Sequence, residues 1–270
     1  MPVSGIDELI AIAGGPGTVR TVFDVGANDG ADSLPLARAF PNIRFIAVEP
    51  TPELARKLKL ESTDLHNYTV LACAVGRSDG VASLKIRRKN VHNSLEDIDP
   101  SSVAGVGRDV GEFDVQKEIT VPVRTLKSLC EELDVKAIDV LHVDAQGSDL
   151  DILISAGDLL ETVEAGVVEA ARRLHLYSNS VSRRRIVRFL TAHGFHIVRV
   201  SPNDRFNLEQ NVFFARATDV HWTRMRAVAK MARAEITHWT APEAPLRWFL
   251  FRARLALRAR LRRAVARSRQ

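Results

Sequence analysis

The stretch 22–30 reads VFDVGANDG, an apolar run that breaks into a glycine turn, and Glu49 closes the next apolar run. Backbone approaches a ligand closely only where side chains are missing, so Gly26 and Gly30 point to a small molecule lying against the turn. Ala27, Asn28 and Asp29 complete that turn, and Asp24 precedes it. Glu49 follows at roughly 20 residues, the spacing at which a carboxylate accepts hydrogen bonds from ribose hydroxyls. Farther on, Asp144 in HVDAQGSD and Glu169 at the end of a later apolar run are carboxylates suited to orienting an acceptor or taking its proton. His142 shares a face with Asp144 by the two-residue strand period, and reads either as a ligand contact or as a core histidine. His92 lies in a long polar loop, 89–112, whose length in a compact domain marks a lid or binding loop, or else disorder.

Charge in the turn narrows the ligand. A pyrophosphate prefers bare backbone N–H groups with no carboxylate nearby. Here Asp24 and Asp29 flank and enter the turn, which suits the sulfonium and ammonium of a methionyl group instead. Asp29 has a second reading, as a cap of the helix that follows. A nicotinamide reductase of the short-chain type would want Tyr with Lys four positions on, but Tyr68 and Tyr177 have Ala72 and Val181 there.

These residues need elements to hold them. Short β-branched apolar runs predict strands at 21–25, 44–48, 69–74, 139–143, 163–169, 196–200 and 211–215. Helices are expected at 33–40, 52–60, 125–133, 148–156 and 182–193, with Thr51 as N-cap, Pro52 at the first helical position and Gly194 as a stop. Continuous apolar strands alternating with helices imply a parallel sheet covered on both faces. The runs 81–87 and 115–123 interrupt that alternation and read as an inserted β-hairpin. In such a sheet, ligands sit outside the carboxyl ends of the strands, which puts Asp24, Glu49, Cys73-Ala74, Asp144 and Glu169 on one rim.

FDVGANDG, AVEP (47–50), LACAVGRSDGVASL and LHVDAQGSDLDIL together resemble the class I methyltransferases of the FkbM family. They are similar, in turn, to that family's cofactor turn, acidic strand end, alanine–valine–glycine stretch and fourth-strand signature, the last usually IDVEGAE. The resemblance implies an α/β fold with a Rossmann-like, seven-stranded, mostly parallel sheet, S-adenosyl-L-methionine as cofactor, and methyl transfer to a hydroxyl of a sugar, glycolipid or related natural product. Residues and resemblance together place cofactor contacts at Asp24, Gly26, Ala27, Asn28, Asp29, Gly30, Glu49, Pro50, Cys73 and Ala74, while position on the rim and in the long loop nominates Asp144, Glu169 and His92 for catalysis. No ligand spacing calls for a metal. The family's glutamates in EGAE are Gln146 and Asp149 here. That departure keeps a non-catalytic cofactor-binding protein open as the alternative, with a nicotinamide oxidoreductase behind it.

With 46% hydrophobic and 26% charged residues the composition is that of an ordinary globular chain. Cys73 and Cys130 are too few for a disulfide framework, so a cytoplasmic setting is expected. No apolar stretch reaches the ~18 residues of a membrane span. The net charge of +5 is unevenly distributed: 219–270 holds 13 Lys/Arg against Asp219, Glu235 and Glu243, leaving 25 basic and 30 acidic residues before it. This predicts a methyltransferase domain over 1–218 and a basic helical extension over 219–270. Leu246, Leu250, Leu257 and Leu261 share a helical stripe beside Arg247, Arg254, Arg258 and Arg262. That pattern fits a helix on an anionic membrane surface, here the inner face, and equally one packed on its own domain or a second subunit. Nucleic acid is disfavoured as substrate, because no N-P-P-Y/F-type base-methylation motif is present.

Overall fold

The computed structural model describes residues 5–104, 110–172, 176–178, 180–202 and 208–216. The basic extension from 219 onward and its leucine–arginine stripe lie outside the described residues.

A helix, α1 (Gly5–Ile12), precedes β1 (Thr21–Val25), α2 (Leu34–Ala39), β2 (Arg44–Val48), α3 (Pro52–Glu61) and β3 (Tyr68–Leu71). The inserted sheet follows with β4 (Ala74–Val75), β5 (Gly80–Arg87), α4 (Pro100–Ala104) and β6 (Val115–Arg124). Then come α5 (Leu126–Glu132), β7 (Val140–Val143), α6 (Asp149–Ser155), β8 (Ala165–Ala171), α7 (Arg183–Ala192), β9 (Phe195–Pro202) and β10 (Glu209–Arg216).

The main sheet has seven strands in the order β3-β2-β1-β7-β8-β10-β9. Strands β3, β2, β1, β7 and β8 are parallel, and β10 runs antiparallel to both β8 and β9. This is the Rossmann-like α/β fold of class I methyltransferases. The chain winds outward from β1 in one direction, then returns to β1's other side with β7, so the strand order reverses between them. A crevice opens above such a reversal because the loops leaving the two strands diverge. The core explains the continuous apolar reading of the strands: Phe23, Ile46, Leu141, Val168 and Phe214 are fully buried. All seven residues of β8 are buried, Glu169 included.

The inserted hairpin of β5 and β6 is antiparallel, and β4 adds to β6 in parallel, which makes a three-stranded sheet. The run 69–74 therefore divides: β3 ends at Leu71, and Ala74–Val75 joins the second sheet. Thr125 caps α5 through a reciprocal pair of bonds with Ser128. Thr51 occupies the cap position of α3 but makes no side-chain cap bond; its hydroxyl accepts from Asn93 Nδ2 at 3.2 Å. Helix α1 is absent from the sequence reading, although Ile6, Leu9 and Ile10 are completely buried.

Candidate functional site

The glycine turn after β1 is left-handed at Gly26 (φ 83°), Asn28 (φ 51°) and Gly30 (φ 74°). A Cβ at Gly26 would collide with the Asp144 carbonyl, and one at Gly30 with Leu58 Cδ1. Both glycines are thus demanded by protein packing, where the sequence suggested close approach of a ligand. Four of the turn's five amides are spent internally. Gly26 and Ala27 both donate to the Val48 carbonyl, Gly30 donates to Ala27, and Asn28 N–H donates to Glu49 Oε2 at 2.8 Å. Glu49 Oε1 accepts from Thr51 N–H at 2.8 Å, so this buried carboxylate laces the turn to the start of α3. Burial raises its pKa, against the lowering effect of those bonds to Thr51 and Asn28.

A cavity of about 270 Å³ lies over the carboxyl ends of β1, β2 and β7. Gly26, Ala27, Asn28, Asp29, Glu49, Pro50, Cys73, Ala74 and Asp144 all line it. Burial pushes the Cys73 thiol up to about 11, which leaves it an apolar wall and not a nucleophile at neutral pH. Asp29 Oδ1 accepts from Ala31 N–H at 3.2 Å and so also stiffens the turn. The loop 90–95 closes the cavity's other side. Asn90 Nδ2 donates to Asn28, Asn93 Nδ2 donates to Thr51, and Ser94 Oγ donates to the Gln146 carbonyl at 2.7 Å.

Four expected site residues stand off the cavity wall. Gly30 faces Leu58 and Tyr68, as above. Asp24 is one residue short of the end of β1, so it sits below the rim. Its Oδ1 meets His142 Nδ1 at 2.9 Å, in register across β1 and β7, and its Oδ2 is buried with no partner. His142 takes the place on the wall that Asp24 was expected to hold. His92 turns away and packs on Phe113 with ring centroids 4.4 Å apart, while its carbonyl accepts from the buried Arg87. Asn90, Asn93 and Ser94 face the cavity in its stead.

Glu169 lies behind Asp144, joined to it through Gln146. The Gln146 amide nitrogen donates to Asp144 Oδ1 and, at 3.1 Å, to Glu169 Oε2, while its oxygen accepts from the Tyr177 hydroxyl. A glutamate could accept from Tyr177 but could not donate to two carboxylates. The substitution therefore exchanges a charge for a bridge. Burial first, then Asp144, Glu209 and Asp149, push the Glu169 pKa well above the ordinary carboxylate range. Asp149 is raised to about 7 by burial and by Asp144, and its Oδ1 accepts from Glu169 N–H. Asp32, which also lines the cavity, went unremarked in the sequence; one carboxylate among many polar turn residues carries no signal of its own.

Residues 24–197 match the model of the methyltransferase FkbM domain. The chain belongs to this family. Among curated relatives, the 2-O-methyltransferase NoeI of Sinorhizobium fredii is 23% identical over 185 residues, covering 67% of this chain and 74% of NoeI. Methyltransferase 1 of Beauveria bassiana is 23% identical over 152 residues, 51% of this chain and 58% of that protein. Among solved structures, fibrillarin of Aeropyrum pernix with bound S-adenosyl-L-methionine aligns with TM-score 0.40 at 14% identity, covering 73% and 66% of the two chains. The N-terminal domain of EvdMO1, determined with SAH and D-fucose, aligns with TM-score 0.44 at 11% identity over 79% and 82%.

As an FkbM methyltransferase the protein uses S-adenosyl-L-methionine, and family membership sets aside the non-catalytic and nicotinamide alternatives. The cavity fits that cofactor on its own terms. Asp29, Asp32, Glu49 and Asp144 line it, with His142 as its one basic side chain among the described residues. That balance favours a ligand of net positive charge, and with most turn amides spent the turn offers little to a pyrophosphate. Among the described residues no group of three or more His, Cys, Asp and Glu is arranged to hold a metal ion. No helix among them is long and apolar enough to cross a membrane.

Proposed function

We propose that this methyltransferase alkylates a hydroxyl oxygen of a sugar, a glycolipid or a related natural product. The observation that carries the reading is Asp144, a carboxylate on the cavity wall at the end of β7, held there by the Gln146 amide. When bound, S-adenosyl-L-methionine supplies an electrophilic methyl group on a good leaving group. Glu49 would hold the ribose hydroxyls, Cys73 and Ala74 would flank the base, and Gly26–Asn28 would border the methionyl arm. Asp144 receives the hydroxyl proton as the acceptor oxygen bonds to carbon, which is general-base work at a positioned carboxylate. Glu169, its pKa raised by burial, lies behind Asp144 and through Gln146 fixes it in place. NoeI is named for 2-O-methyl transfer, which supports oxygen as the acceptor atom.

The decisive experiment incubates the full chain and the cofactor with a panel of glycans and glycolipids, and locates the methyl group by mass spectrometry and NMR. An O-methyl product, lost in Asp144→Asn while cofactor binding persists, is expected. Methylation at nitrogen or carbon, or full turnover in the variant, overturns the reading. In the same reading the 1–218 domain carries the chemistry, and 219–270 brings it to an anionic membrane surface on the cytoplasmic side. The leucine and arginine spacing of 246–262 supports this. Flotation with anionic liposomes at low salt, lost on deleting 219–270, tests it.

A further inference from the structure

We propose that His142, held by Asp24, is the group that receives the α-carboxylate of S-adenosyl-L-methionine. The inference rests on the cofactor site and not on the identity of the acceptor.

The cofactor carries a sulfonium and an ammonium, which the cavity's carboxylates suit, and one carboxylate, which they repel. That carboxylate needs a donor. At many nucleotide-binding turns the backbone amides supply it, but here those of Gly26, Ala27, Asn28 and Gly30 are committed to Val48, Glu49 and Ala27, which leaves that of Asp29, a neutral donor beside its own carboxylate. Ala31 N–H is committed to Asp29. Among the described lining residues, Asp29, Asp32, Glu49 and Asp144 are acidic and His142 alone is basic. Its Nδ1 is engaged by Asp24 at 2.9 Å, which leaves Nε2 as the ring nitrogen for a ligand. Its side chain is 13% exposed, and the cavity is what it faces.

Asp24 does two things for this role. It fixes the ring in one orientation across the β1–β7 register. It also keeps the ring charged: burial alone would lower the imidazole pKa, but the bond and charge of Asp24, aided by Asp32 and Asp144, push it up to about 9. A charged donor to a carboxylate is stronger than a neutral one. Asp24 is therefore a positioning residue, and the acidic position expected to touch the methionyl arm acts one residue removed.

Calorimetry with S-adenosyl-L-methionine and with its decarboxylated analogue isolates the carboxylate, since the two share every other group. The wild-type chain is expected to prefer the carboxylated ligand by roughly ten- to a hundredfold. In His142→Ala that preference collapses towards unity while affinity for the decarboxylated analogue stays within a few-fold; His142→Lys retains most of it. A variant that keeps the wild-type preference, or a wild-type chain that shows none, overturns the proposal. If His142→Ala binds neither ligand, NMR on the wild type decides. The His142 ring signals should shift with S-adenosyl-L-methionine and not with the analogue, and equal shifts overturn the proposal. Failure of the wild type to bind either ligand would instead strike at the cofactor site itself.

Discussion

Replacing Asp24 with Asn tests the buried pair at the centre of the site. Asp24 is 1% exposed and its Oδ1 lies 2.9 Å from His142 Nδ1. The imidazole's pKa rises from the ordinary 6.5 to about 9. At about 1.4 kcal/mol per pKa unit, that shift corresponds to roughly 3 kcal/mol of stability. The folded pKa lies above the unfolded one, so the contribution is full below pH 6.5 and is lost as pH rises through about 9. In Asp24→Asn the neighbouring charge is gone and burial drives the ring towards its neutral form. Urea titrations of both proteins from pH 6 to 10 should therefore give a stability difference of roughly 3 kcal/mol near pH 6 that shrinks steadily above pH 7. NMR titration of the ring should place its midpoint near 9 in the wild type and below 6.5 in the variant. A difference that stays constant across this range, or a wild-type midpoint between 6 and 7, would refute the reasoning.

Asp144→Asn should lower kcat by on the order of 10²–10⁴ with cofactor Kd little changed, as read by single-turnover methyl transfer and calorimetry. Gln146→Glu restores a carboxylate within hydrogen-bond distance of Asp144 and Glu169, where like charges about 3 Å apart repel by about 5 kcal/mol at an effective dielectric of 20. The native state relieves this by binding a proton, so the loss of Tm should be largest near pH 8 and should recover towards pH 5. Gly26→Ala should cost at least about 3 kcal/mol or abolish folding, seen by circular dichroism, because its φ is left-handed and its Cβ collides with the Asp144 carbonyl. Burial pushes both Cys73 and Cys130 up to about 11, so thiol labelling of the native chain at pH 8 should run at about a hundredth of the denatured rate.

Strands β1 and β2 lie at the bounds the sequence predicts, because four of the five residues in each are apolar or β-branched and a turn follows, which leaves one way to bury them. The order of elements and the family motif were legible for the same local reason. Helix α1 was not, since its apolar residues 6, 9 and 10 form too short a period to separate from a loop. The end of β3 was misjudged because apolar content cannot tell which of two sheets a residue joins.

Local pattern alone thus determined the chain's fold class, its glycine turn, Glu49 beside that turn and the candidate carboxylates. Tertiary structure decided what each of them touches. Asp24 and His142 are 118 residues apart and meet only because β1 and β7 pair in register. Gln146 bridges Asp144 to Glu169 only because β7 and β8 are neighbours, and Tyr177 completes the bridge from beyond β8. His92 faces away because Arg87 and Phe113 hold it. Secondary structure follows from residues near in sequence, whereas the charge and reach of a buried side chain depend on partners that only strand pairing brings within hydrogen-bond distance.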